Sequence, residues 1–348
     1  MGVSPHLKRA YELARQNRPH PNPRVGAVVV SEGGRVLGEG AHVGPGEPHA
    51  EMIALDAAGD ARGSTVFVSL EPCTHHGRTP PCVDRLIAES VSRVVVGALD
   101  PDPRVSGSGA ARLAESGIEV DIVDDPEATE VDPAYFHHRT TGMPLVTLKW
   151  AMTLDGSVAA ADGTSRGITG DAARREVHEL RSQMDAVVVG AGTLRTDDPR
   201  LDVRLDGYDG PQPRPVIIAG KERLPEDAQV WDRNPLVITH HDRELPAGEL
   251  AGAQGEDNRP DPVDACRLLA DRGYLDVLVE GGPTLASAWW RAGVVSRGVV
   301  YVGAKVGGGI GQSPLAGLFA TMTEADEVEF DTVRSVSDDA VITFRKKG

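Results

Sequence analysis

The sequence contains few cysteines, few basic residues and no long apolar run, and each shortage excludes a class of protein. Three cysteines in 348 residues are too few for a disulfide framework. The formal net charge of −16 repels polyanions, and there is no local basic patch of the kind a long nucleic acid would need. No apolar run approaches the roughly 20 residues of a membrane span. We therefore expect small-molecule partners, with no nucleic acid and no membrane among them.

The N-terminus and the composition indicate an ordinary globular protein with more than one domain. The first residues lack the continuous apolar core of a signal peptide, so a cytoplasmic location is expected. Hydrophobic residues make up 40% of the chain and charged residues 25%, as in other globular proteins. A length of 348 residues exceeds what one hydrophobic core usually fills, which favours two domains.

Strand-like and helix-like segments alternate in both halves, which predicts two α/β domains. The sequence 124–144 is acidic at first and punctuated by proline, and we interpret it as a connector that ends near Met143. The predicted domains are therefore 1–143 and 144–348. His137 and His138 fall in the connector and are interpreted as solvated residues rather than ligands. A second polar stretch, 242–262, is interpreted as an exposed loop.

Three potential metal ligands in the first half lie where strands and helices are predicted to meet. His49 opens a helix just after a proline, Cys73 follows a strand, and Cys82 begins the next helix. One imidazole and two thiolates suit zinc and leave its fourth tetrahedral position free. The remaining cysteine, Cys266, lies in a helical pattern and is interpreted as a core residue.

Glu51 stands two residues after His49, and its position adds a catalytic element to the zinc pattern. A His-x-Glu segment followed by a Pro-Cys segment is typical of zinc deaminases, in which the Glu moves protons without binding the metal. The pattern predicts hydrolysis of an amino group from a nucleobase-like ring. A closed structural zinc site with His75 or His76 as fourth ligand is the alternative, but it leaves Glu51 unexplained. The net negative charge of the chain argues against a third candidate, a deaminase that edits polynucleotides.

The spacing of the two cysteines and a second motif carry a specific family resemblance. Eight residues separate the cysteines, and the segment Pro-Asn-Pro-Arg-Val-Gly occupies 21–26. With these features the chain resembles the bifunctional deaminase/reductase family of riboflavin biosynthesis over essentially its whole length. The resemblance implies a cytidine-deaminase-like α/β/α sandwich, zinc ligands His49, Cys73 and Cys82, proton carrier Glu51 and a substrate-ring contact at Asn22. In the eight-residue segment between the two cysteines, His75, His76 and Arg78 could bind a sugar phosphate.

Three segments of the second half, 149–156, 192–201 and 280–285, resemble the reductase part of the same family. The resemblance implies a dihydrofolate-reductase-like α/β domain that uses NADPH. A glycine turn at a predicted helix N-terminus, Gly281 and Gly282, would independently suit an anionic cofactor. The implied cofactor contacts are Ala151, Gly167, Thr193, Asp197, Gly220, Gly282, Pro283, Thr284, Leu285, Ala286, Ser287 and Ala288. The implied substrate contacts are Ser165, Arg181, Leu201, Arg204 and Glu280.

The family resemblance also implies the two reactions. A diaminohydroxyphosphoribosylaminopyrimidine loses its ring amino group, and NADPH then reduces the ribosyl chain of the product to ribityl. Lys149 or Asp197 would assist the proton movements, and Lys221 or Arg223, after a predicted strand, would bind the extra phosphate of NADPH. The family's usual aromatic is replaced by Gly167. A second half that only binds nucleotide or dimerises is the alternative, and a homodimer or higher homo-oligomer is expected.

Overall fold

A computed structural model describes residues 3–74, 80–103, 105–241, 243–256, 259–308, 311–315, 319 and 321–347. The chain divides into two compact units, Met1–Gly142 and Met143–Gly348. In the described part of the chain, no helix is both long enough and apolar enough to cross a membrane.

The first unit contains five strands and six helices within the described residues. The strands are β1 (Gly26–Val30), β2 (Val36–Ala41), β3 (Thr65–Leu70), β4 (Arg93–Ala98) and β5 (Glu119–Ile122). The helices are α1 (Pro5–Ala14), α2 (Ala50–Ala58), α3 (Cys82–Ala88), α4 (Ser108–Glu115), α5 (Pro126–Thr129) and α6 (Pro133–Thr141).

The five strands form one sheet in the order β2-β1-β3-β4-β5, with helices on both faces. Strand β1 is antiparallel to its two neighbours, whereas β3, β4 and β5 are parallel. Alternate residues of β1 point to opposite faces, so Val29 packs in the cluster that includes Leu55 and Leu86. Val28 packs against the helix α1 on the other face. The predicted α/β/α sandwich is confirmed.

The sequence 124–144 is interpreted above as the connection between the domains, but nearly all of it belongs to the first unit, where it forms helices α5 and α6. Each of these two helices begins after an aspartate whose side chain accepts a hydrogen bond from a backbone N–H. Ala134 and Tyr135 of α6 are buried. Short polar helices of this kind lack the long apolar repeat on which sequence interpretation depends.

The second unit contains eleven strands and four helices among its described residues. The strands are β6 (Leu145–Thr153), β7 (Ala186–Gly190), β8 (Arg214–Ile218), β9 (Leu236–Thr239), β10 (Glu249–Gly252), β11 (Gly255–Glu256), β12 (Arg259–Pro260), β13 (Asp276–Val279), β14 (Arg297–Gly303), β15 (Val328–Val336) and β16 (Asp339–Lys346). The helices are α7 (Asp171–Ser182), α8 (Ala191–Asp197), α9 (Pro262–Asp271) and α10 (Pro283–Arg291), and two 3-10 turns cover Gln229–Arg233 and Met322–Glu324.

Nine of these strands form one sheet, in the order β10-β9-β8-β7-β13-β6-β14-β16-β15. The strands from β10 to β14 in this order are parallel, while β15 and β16 form an antiparallel hairpin at one edge. Helices α9 and α10 cover one face with Cys266, Trp289 and Trp290. The interpretation of Cys266 as a core residue is confirmed, since it is fully buried.

Two details of the second unit differ from expectation. The stretch 242–262 is not simply an exposed loop, because β10 pairs with β9 there and Ala251 is buried. Helix α8 was not anticipated, although it presents Thr193 and Asp197 directly after β7. Its seven residues are too few for a clear helical repeat.

Candidate functional site

The first unit brings together one imidazole and two thiols, as the sequence predicts. His49 caps α2, Cys73 lies in the loop after β3, and Cys82 is the first residue of α3. The His49 Nδ1 atom lies 3.1 Å from the Cys82 sulfur and 3.5 Å from the Cys73 sulfur. All three potential ligand atoms lie within 4.8 Å of one another.

The spacing of these atoms fits a tetrahedral zinc ion. Zinc–nitrogen and zinc–sulfur bonds of ordinary length place the nitrogen and sulfur ligands about 3.6 Å apart. A hydrogen bond from Cys82 lowers the pKa of Cys73 to about 4, whereas the pKa of Cys82 is raised by sharing that proton and by burial. The site therefore already favours one thiolate, which is the form that binds metal.

Glu51 lies beside this group and is 3% exposed. It belongs to the first turn of α2, so His49 and Glu51 are held by the same helix start. Burial, together with the nearby Cys73 sulfur, raises the pKa of Glu51 to about 7. A carboxyl group with such a pKa exchanges protons readily near neutral pH.

Asn22 is held beside the metal group by a histidine that the sequence interpretation missed. The His42 Nδ1 atom lies 3.0 Å from the Pro48 carbonyl, so this nitrogen carries the proton and donates it. The Nε2 atom of His42 then accepts from the Asn22 amide over 2.9 Å. Burial lowers the pKa of His42, which favours this neutral form. The His42 ring also stands edge-on to His49, 5.2 Å between centroids.

The loop that carries Asn22 is anchored by α6, the helix in the misinterpreted segment. Asp132 accepts a hydrogen bond from the Arg24 backbone N–H over 2.9 Å, and its other oxygen lies 2.9 Å from the His20 ring. His75, His76 and Arg78 lie outside the described residues, so their predicted phosphate contacts stay predictions.

The second unit contains a cavity of about 640 Å³ at the carboxyl ends of its parallel strands. Ligands of open α/β sheets commonly bind at this edge. Ten predicted residues are among its lining: Ala151, Ser165, Thr193, Asp197, Glu280, Gly282, Pro283, Thr284, Leu285 and Ala286. Gly282 precedes α10, and its N–H donates to the Thr193 hydroxyl over 3.2 Å, which ties α8 to the start of α10.

A buried ion-pair group forms one wall of this cavity. Arg181 donates to both Glu280 oxygens, over 2.6 and 3.0 Å, and the Lys149 ammonium lies 3.8 Å from the same carboxylate. Burial favours the neutral acid, but the two cations outweigh it and lower the pKa of Glu280 to about 2. Burial also lowers the pKa of Lys149. Sequence interpretation gave no signal for this pairing of distant residues.

Seven other predicted residues are not among the described lining of this cavity. Gly220 and Ala288 line an adjoining cavity of about 390 Å³, and Gly167 lines a third, where its carbonyl accepts from Lys305 over 2.5 Å. Arg181 is hydrogen-bonded to Glu280, and Leu201 and Ser287 are buried. Arg204 is exposed and paired with Asp202.

The fold and the two sites define a protein with a zinc-deaminase-like half and a reductase-like half. Residues 3–98 match the cytidine and deoxycytidylate deaminase zinc-binding region, and residues 144–342 match the RibD C-terminal domain.

Full-length relatives identify the family. The riboflavin biosynthesis protein RibD of Chlamydia muridarum is 41% identical over 98% of this chain and 96% of its own length. That of Escherichia coli is 37% identical over 97% of both chains. The crystal structure of a Thermotoga maritima diaminohydroxyphosphoribosylaminopyrimidine deaminase/5-amino-6-(5-phosphoribosylamino)uracil reductase has a TM-score of 0.89, with 35% identity over 98% of both chains. The chain belongs to the RibD family of bifunctional riboflavin-biosynthesis enzymes, which use zinc for deamination and NADPH for reduction.

Proposed function

We propose that the group formed by His49, Cys73 and Cys82 holds the zinc ion and that Glu51 moves the protons of the deamination step. The distances of 3.1 and 3.5 Å from the imidazole nitrogen to the two sulfurs carry this proposal. When bound, zinc acts as a Lewis acid and lowers the pKa of water to about 7.

Glu51 takes one proton from the attacking water and passes it to the ring nitrogen; it then takes the proton of the new hydroxyl group and passes it to the departing ammonia. Its raised pKa suits both directions of transfer. The Asn22 amide, oriented by His42, holds the substrate ring against Glu51. The substrate is the phosphorylated pyrimidine named in the Thermotoga maritima structure.

In the second unit, the cavity at the strand ends would hold the nicotinamide and the ribosyl chain. NADPH supplies the hydride for the reduction. Glu280 faces the cavity and binds a ribose hydroxyl, while Arg181 holds its carboxylate in place. Of the two candidate proton donors, Lys149 is favoured, because burial lowers its pKa and it lines the cavity beside Glu280.

The change Glu51→Gln tests the roles in the first unit. We expect ammonia release to fall by at least about 100-fold, because general acid–base catalysis commonly contributes that much. Zinc content should stay stoichiometric, and NADPH oxidation with deaminated substrate should be unchanged. The exposed Glu115→Gln on α4 is the matched control. Loss of zinc from Glu51→Gln would make Glu51 a ligand and overturn the assignment.

The same assays examine the alternatives. A second unit that only bound nucleotide would leave NADPH unoxidised with deaminated substrate. Zinc lost on replacement of His75 or His76 by alanine would indicate a closed structural site. The expected homo-oligomer and the cytoplasmic location stay predictions, which sedimentation and cell fractionation can test.

A further inference from the structure

A cavity rich in charged residues lies at the edge of the second unit, next to the predicted cofactor contact Gly220. Strands β8 and β9 are parallel neighbours, with Ile218 opposite Ile238. The residues that follow them, 219–226 in one case and 240–241 with 243–246 in the other, therefore emerge side by side. They enclose a cavity of about 620 Å³.

Three cations and three carboxylates line this cavity, but they are not all paired with one another. The acids Glu226 and Glu222 are already engaged, the first by Arg223 and the second by Arg195 over 2.6 Å. The third acid in the lining, Glu244, is exposed. In contrast, Lys221 and Arg243 line the cavity and have no carboxylate within ion-pair distance among the described residues.

Several polar atoms at this place are buried and lack a hydrogen-bond partner in the described structure. They are Nε of Arg243 and Nε2 of His241, two residues of the lining, and Nδ1 of the preceding residue, His240. The terminal nitrogens of Arg243 donate to the carbonyls of Gly220 and Glu222, which fixes the guanidinium group against the turn. Burial and the neighbouring cations lower the pKa of His241. A phosphate in this cavity would pair with the Lys221 ammonium and the Arg243 guanidinium, which have no carboxylate partner among the described residues.

This charged cavity continues into the reductase cavity. Lys221 and Glu222 also line the adjoining 390 Å³ cavity, whose walls include Ile218, Leu285 and Trp289. That cavity in turn shares Gly190, Gly192, Thr284 and Leu285 with the reductase cavity. The three cavities therefore follow one another along the strand ends, and the middle one has the apolar walls that suit an adenine ring.

We propose that Lys221 and Arg243 bind the 2′-phosphate of NADPH and set the preference for NADPH over NADH, an inference that rests on the proposed reductase function. The adenosine occupies the middle cavity, so its ribose faces the shared residue Lys221. The sequence leaves Lys221 and Arg223 equally eligible. Because Arg223 is paired with Glu226, Lys221 is the better candidate for the phosphate contact. Arg243 is distant in the sequence and comes close to Lys221 only because β8 pairs with β9.

The test compares Lys221→Ala, Lys221→Arg and Arg243→Lys with the matched control Arg223→Ala, in the full-length chain. Adenosine 2′,5′-bisphosphate and adenosine 5′-monophosphate are titrated into each by calorimetry. We expect Lys221→Ala to weaken the bisphosphate about 10-fold to 150-fold, the range expected for a charge-assisted hydrogen bond, and to leave the monophosphate unchanged. Lys221→Arg should restore binding, Arg243→Lys should weaken only the bisphosphate, and Arg223→Ala should match the unmodified chain.

Steady-state kinetics give the second measurement. The ratio of kcat/KM for NADPH to that for NADH should fall by a similar factor in Lys221→Ala. If Lys221→Ala changes neither this ratio nor bisphosphate binding, the inference is overturned. It is also overturned if only a further variant, Arg259→Ala in the middle cavity, loses bisphosphate binding. Neither result would affect NADPH oxidation by the unmodified chain. Failure of the unmodified chain to oxidise either cofactor with deaminated substrate would instead overturn the proposed function.

Discussion

Glu280 shows how one residue links stability to the reductase site. Its carboxylate is held between Arg181 and Lys149, and its pKa is lowered to about 2. An unfolded glutamate titrates near about 4.3, so the folded form gains stability that is fully present above that pH. This stability is lost as the pH falls through about 4 towards 2.

The change Glu280→Gln should therefore destabilise the second unit by about 3 kcal/mol at pH 7, and the difference should shrink towards zero by about pH 2. Urea unfolding at several pH values measures this. The four tryptophans, Trp150, Trp231, Trp289 and Trp290, all lie in the second unit, so their fluorescence reports on it alone. The exposed Glu329→Gln should differ little from the unmodified chain throughout. A difference for Glu280→Gln that stays constant down to pH 3 would contradict the ion-pair account.

At the scale of elements, the deaminase site depends on how closely α2 approaches β2. Gly38 and Gly40 of β2 face this helix, and a Cβ added at Gly40 would lie 2.3 Å from the Ala50 carbonyl oxygen. Backbone atoms at that distance must move. Helix α2 begins with His49 as its cap and Glu51 in its first turn, so a shift of the helix moves both.

The change Gly40→Ala should thus lower ammonia release by at least about 10-fold and cost about 1–3 kcal/mol of stability through overpacking. Gly44→Ala is the control, because its added Cβ meets no heavy atom within 4 Å. Ammonia release, zinc content and thermal unfolding are measured for both. Equal behaviour of the two variants would show that the close approach of α2 is not needed.

For the whole molecule, separate hydrophobic cores in the two units imply that the two activities can be lost separately. Cys82→Ser replaces a thiolate by a poor zinc ligand and should release most of the zinc. Ammonia release should be lost, while NADPH oxidation with deaminated substrate continues. Cys266→Ser, in the core of the second unit, should keep the zinc. Zinc loss from Cys266→Ser, or loss of both activities from Cys82→Ser, would contradict this division.

The sequence by itself determined the chemistry of the first unit and the class of the fold. His49, Glu51, Cys73 and Cys82 stand next to predicted strand and helix boundaries, and a local pattern of residue types is enough to predict a metal site. The long apolar alternation likewise predicted both α/β units, because burial of strands and helices leaves a repeat in the sequence.

Only the tertiary structure decided which distant residues meet. The support of Asn22 by His42, the anchoring of its loop by Asp132, and the pairing of Glu280 with Arg181 join residues that are 20, 108 and 99 positions apart. The same holds for Lys221 and Arg243, which are brought together by the pairing of β8 with β9. Such contacts follow from the order and register of strands, and single positions in a sequence carry no record of that order.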